Sequence, residues 1–156
     1  MTFVKGDRRA TIRKGLHELY IPHYDALCAE LSEEWQPYSG LRSLKKQEEL
    51  YAKGRTQQGQ IVTYAPPGAS AHNYGMATDW TIFNENDRAV FITKEDPIWR
   101  EYEIACIKLG LNWGGFFTKT DCYHNELHLN THWRNVKLEF DKGGMDAAVA
   151  FIKKNL

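Results

Sequence analysis

Net charge is the first thing this chain does without: among its 156 residues, twenty Lys and Arg balance twenty Asp and Glu. No global field therefore draws it toward nucleic acid or anionic lipid. Long apolar runs are missing too, and nothing approaches the roughly 20 residues of a membrane-spanning helix, so no membrane insertion is expected. Cysteine is scarce: Cys28, Cys106 and Cys122 are odd in number and widely spaced, with no C-x-x-C. That excludes a disulfide framework and a cysteine zinc site, and it fits free thiols in a reducing compartment. The opening "MTFVKGDRRATIRKG" lacks the apolar centre of a secretory leader, so the expected location is the cytoplasm. Internal repeats and low-complexity tracts are absent. What remains, 42% hydrophobic and 26% charged residues, is the composition of one globular domain over residues 1–156, expected to be a monomer.

Periodicity outlines the elements. Tyr24, Leu27, Cys28, Leu31 and Trp35 fall at helical spacing, which predicts an amphipathic helix that "QPYSG" breaks. Ser43 is suited to cap a helix through "LKKQEELYAKG", with Gly54 just past its end. "QIVTYA" reads as a brief buried strand stopped by "PPG". "MATDWTIF" and "RAVFIT" flank "NEND" as a hairpin. Asp96 and Pro97 fit the N-cap and first turn of a helix whose Ile98, Tyr102, Ala105 and Leu109 share a face and which Gly110 ends. "GGMDAAVAFIKKNL" predicts a last helix with lysines near its C-terminus. Helices and short strands alternate without a βαβ rhythm, so the expected class is α+β, with a small antiparallel sheet and flanking helices.

Four of the six histidines lie in two polar segments, "SAHNYGMATDWTIF" and "TDCYHNELHLNTHW". Zinc favours imidazole nitrogen and carboxylate oxygen, and a catalytic site keeps one position open. His72 and Asp79 can supply two ligands if Gly75 folds the chain back before the strand. A third would come from His124 or His128, which share a face in an extended strand. The same segment holds Asp121 and Glu126, either of which could take a proton from a water. The bland alternative is a capped loop entering a strand.

The motifs carry a family resemblance. Ser70, His72, Gly75, Ala77 and Asp79 match S-x-H-x-x-G-x-A-x-D, and "GLRSLKKQ", "LYAKGRT", "LGLNWGG" and "DCYHNEL" match further elements. Over roughly residues 38–127 the chain resembles the zinc-dependent L-alanyl-D-glutamate peptidases of the VanY-like D-Ala-D-Ala carboxypeptidase group, which includes phage endolysins. The resemblance implies the hedgehog/D,D-peptidase-like fold; residues 130–156, too short for an independent domain, are expected to pack on the core as a C-terminal extension. It implies that His72, Asp79 and His124 bind Zn2+, with Asp121 as general base and Arg42 stabilising the oxyanion. Glu126 and Ser70 are candidates to hold ligand N–H groups. The implied partner is bacterial peptidoglycan, cut between L-Ala and D-Glu with lysis of the cell. The alternatives are a D,D-carboxypeptidase or dipeptidase acting on D-Ala-D-Ala, and a zinc-containing binding module without turnover. Two departures alter the groove: Phe116 replaces a customary acidic residue, and Cys122-Tyr123-His124-Asn125 replaces Tyr-Pro-His-Phe.

Overall fold

The fold is taken from a computed structural model that describes residues 7–156; the first six, which belong to the stretch read for a leader, lie outside the described residues. The element order is α1 (Asp7–Arg13), α2 (Ile21–Glu30), β1 (Trp35–Ser39), α3 (Leu44–Ala52), β2 (Ala77–Ile82), α4 (Trp99–Lys108), β3 (Asn112–Trp113), β4 (His124–Glu126) and α5 (Trp133–Lys154). The sheet is antiparallel in the order β1-β2-β4-β3, so the class is α+β. The chain divides into two compact units, Met1–Leu41 with Gly75–Leu127, and Arg42–Tyr74 with His128–Leu156.

The first unit holds the sheet. Its core stacks Trp35 on Tyr102 at 5.3 Å and sets Trp99 and Trp80 among the neighbouring rings. The predicted helix through Trp35 is corrected here: α2 ends at Glu30, and Trp35 opens a strand. Arg9 explains the stop, because its guanidinium donates to the carbonyls of Cys28, Ser32 and Trp35. Carbonyls left unpaired at a helix end thereby gain a partner. Pro37 survives in β1 because that strand is an edge, where a missing N–H costs no ladder bond, and the register shifts beside it. Around "NEND" the chain does reverse: Asn84 N–H donates to Arg88 O, and Val90 N–H to Ile82 O. The returning arm makes one isolated bridge, Phe83 with Ala89, and forms no sheet strand. Asp96 Oδ1 accepts the Ile98 N–H, but α4 begins only at Trp99. Its buried face is Trp99, Tyr102, Ala105 and Cys106, with Ile98 exposed.

In the second unit Ser43 caps α3, accepting from Lys46 N–H, and Gly54 follows at φ +74. "QIVTYA" is not a strand: Ile61, Val62 and Tyr64 are exposed. Its carbonyls are taken by side chains instead, Thr63 O by Arg55 and Ala65 O by Gln47. The last helix starts ten residues before the "GG" of the expected one and kinks at Gly143 and Gly144, whose φ/ψ leave the helical region. Trp133 near its start stacks on Tyr74 at 5.8 Å.

Candidate active site

Strand pairing builds one half of the site. Asp79 of β2 lies opposite His124 of β4, and Thr78 lies opposite Asn125. Because successive strand residues point to opposite faces, Asp79 and His124 share one face and Thr78 and Asn125 the other. His124 Nδ1 approaches Asp79 Oδ1 at 3.1 Å, and its Nε2 approaches Glu126 Oε2 at 2.8 Å. Burial works against the imidazolium, but the two carboxylates outweigh it and push His124 up to about 10.

The opposite face is a hydrogen-bonded cluster among fully buried groups. Asn125 Nδ2 donates to Tyr102 Oη at 2.7 Å and to Thr78 Oγ1 at 2.9 Å, while its Oδ1 accepts from Tyr20. Trp80 Nε1 also donates to Thr78 Oγ1. These bonds lock the register that sets Asp79 against His124.

His72 comes from a 3-10 turn over Ala71–Tyr74 and is 2% exposed. The Ser70 hydroxyl accepts its backbone N–H, and Arg42 N–H donates to its carbonyl at 2.9 Å. Gly75, which follows the turn, has φ +67, and a Cβ there would sit 2.8 Å from Gly15 O. Only glycine fits on both counts.

Asp121 is exposed and sits in a tight turn, its N–H donating to Gly114 O and its carbonyl accepting from His124 N–H at 3.2 Å. A Cβ on Gly114 would meet Asp121 O, which accounts for the first glycine of "WGG". Asp121 also lines a cavity of about 340 Å³ with Phe91, Lys94, Glu95, Thr120 and Tyr123. Phe116, the departure in this segment, packs edge-on against Trp113, and Phe117 lies 5.8 Å from the His124 ring.

Of the residues singled out in the sequence, Asp79 and His124 come together within the first unit, Nδ1 of His124 standing 3.1 Å from Oδ1 of Asp79, while His72 lies in the second unit. His128 is exposed. The donor set suits zinc: two nitrogens and an oxygen about 2.0–2.2 Å from one ion stand about 3.3–3.6 Å apart in a tetrahedron, close to the observed His124–Asp79 separation. A second carboxylate, Glu126, accepts from the far nitrogen of His124 and leaves Nδ1 facing Asp79, the arrangement that orients imidazole ligands. Sequence reasoning passed over Asn125, Tyr20 and Thr78 as a group, and it treated Gln47 only as part of a motif. Their signal was polarity without any visible reason for exposure.

The profile of the VanY family, described as D-alanyl-D-alanine carboxypeptidase, matches residues 17–109. The chain is 36% identical over 109 residues to the peptidoglycan L-alanyl-D-glutamate endopeptidase CwlK of Bacillus subtilis strain 168, covering 64% of this chain and 65% of that protein. It therefore spans just under two thirds of that relative's length. The crystal structure of the L-Ala D-Glu endopeptidase ChiX of Serratia marcescens matches with a TM-score of 0.55 and 20% identity, over 80% of this chain and 89% of that one. That likeness extends the shared fold. Because the family profile covers more than half of its length, the chain belongs to the VanY family.

Proposed function

We propose that this chain is a zinc peptidase that hydrolyses peptidoglycan stem peptides between L-Ala and D-Glu, made in the cytoplasm of a producing cell and acting as a phage-type endolysin. One observation carries the reading: Asp79 and His124 meet across β2 and β4, within a chain 36% identical to a protein named for that cleavage.

When bound, zinc supplies Lewis acidity toward a water and toward the scissile carbonyl. His72 and His124 would hold the ion through imidazole nitrogen and Asp79 through a carboxylate oxygen. The Asp121 carboxylate takes a proton from the attacking water and passes it to the leaving amine as the C–N bond breaks. Arg42 stabilises the negative charge that grows on the carbonyl oxygen, a task that suits a permanently charged, forked guanidinium. Its main chain supports this role, tied to the turn that carries His72 by Arg42 N–H to His72 O and Asn73 Nδ2 to Arg42 O.

The description of the family profile favours a second reading, cleavage of D-Ala-D-Ala. Mass analysis of products from a defined muropeptide separates the two. The proposal expects a fragment with a new N-terminal D-Glu, formed with zinc and not with a chelator. Release of free D-alanine alone supports the second reading, and an untouched substrate on zinc-loaded protein leaves only a binding role.

A further inference from the structure

Gln47 is 0% exposed, although it carries an amide and lies on a helix that is otherwise half-exposed or exposed. A buried amide must find partners at both ends. Its Nε2 donates to Ala65 O at 2.8 Å, with Thr63 Oγ1 at 3.4 Å. A backbone carbonyl only accepts, so Nε2 must be the end that faces Ala65. The other end, Oε1, is thereby fixed toward Arg42, whose Nη1 donates to it at 3.1 Å. The spacing explains the meeting. With Ser43 as N-cap, Arg42 and Gln47 occupy the two positions before and one turn into the helix that side chains bridge at a helix start.

We propose that Gln47 is the positioning residue of Arg42: its oriented amide oxygen holds the guanidinium in place without neutralising it. The proposal rests on the catalytic reading of Arg42 given above. A carboxylate at position 47 would form an ion pair with Arg42 and would set an anion against the Ala65 carbonyl. A neutral acceptor adds no counter-charge of its own to the guanidinium while restricting its freedom to swing. The bond to a charged donor is of the stronger kind.

The rival role is purely structural, with Gln47 serving only to tie down residues 63–65. A double-mutant cycle separates them. With zinc-loaded protein and a defined muropeptide, Gln47→Met should lower kcat by about 10- to 100-fold, the loss expected for a hydrogen bond to a charged group. KM should hardly move, and zinc occupancy should stay full. In an Arg42→Ala background the same change should cost less than about twofold, because the residue it positions is gone. An equal loss in both backgrounds overturns the proposal. A further readout needs no variant: NMR of the unmutated chain should show separate, slowly exchanging Arg42 Nη protons. Averaged, fast-exchanging signals overturn the proposal even if Gln47→Met does not fold. If the unmutated, zinc-loaded chain leaves the muropeptide intact, the peptidase reading fails, and the NMR result alone judges Gln47.

Discussion

Replacing Asn125 by alanine probes the support beneath the site. The side chain is fully buried, donates to Tyr102 Oη, Thr78 Oγ1 and Thr78 O at 2.7, 2.9 and 3.2 Å, and accepts from Tyr20. Tyr20 keeps Thr78 Oγ1 as a partner, and Tyr102 keeps Tyr123 O, so neither hydroxyl is fully orphaned. The amide nitrogen has two protons for its three acceptors, so three full neutral bonds at about 1 kcal/mol each, less what these remaining partners recover, give a loss of about 2 kcal/mol. That is a large part of the roughly 5–15 kcal/mol that holds a domain together. The assay is urea unfolding followed by tryptophan fluorescence, and the midpoint should fall at unchanged m. Adding Tyr20→Phe should then cost less than it does alone, since the two share one bond. A loss under about 1 kcal/mol, or strict additivity with Tyr20→Phe, would refute the claim that this cluster fixes the register of Asp79 against His124.

Two further outcomes follow from the site. In the metal-free chain His124 is raised to about 10 by Asp79 and Glu126 against the cost of burial. Stability from this charge is thus complete below its unfolded pKa of about 6.5 and is lost as pH rises through about 10. At pH 7 zinc must therefore expel that proton, which calorimetry in two buffers of different ionisation enthalpy will count; uptake of zinc with no proton released would contradict it. Asp121→Asn should retain stoichiometric zinc while kcat falls by about 10²- to 10⁴-fold, the usual contribution of a general base; full hydrolysis by this variant would remove Asp121 from the mechanism.

The candidate site residues stood out in the sequence far more than their surroundings, and the reason is locality. His72, Gly75 and Asp79 fall within eight consecutive residues, and Asp121 and His124 within four, so short-range spacing reports them. Strand β1 was hidden because Trp35 completes a helical period and Pro37 resembles a breaker, whereas edge position makes that proline harmless. "QIVTYA" misled in the opposite sense: its β-branched residues have strand propensity, yet no strand pairs with them and side chains take its carbonyls. The first half of α5 was overlooked because Gly143 and Gly144 punctuate the sequence where the helix only kinks. The buried Asn125 depends on partners distant in the chain, 23 to 105 residues away for its side-chain bonds. No local pattern encodes them.

Cobalt substitution addresses the central claim, that one ion sits among His72, Asp79 and His124. The unmutated chain should bind one Co2+ with the intense visible absorption of tetrahedral coordination, and alanine at any of the three positions should abolish that band while His128→Ala leaves it intact. A band that survives His124→Ala, or disappears with His128→Ala, would contradict the account.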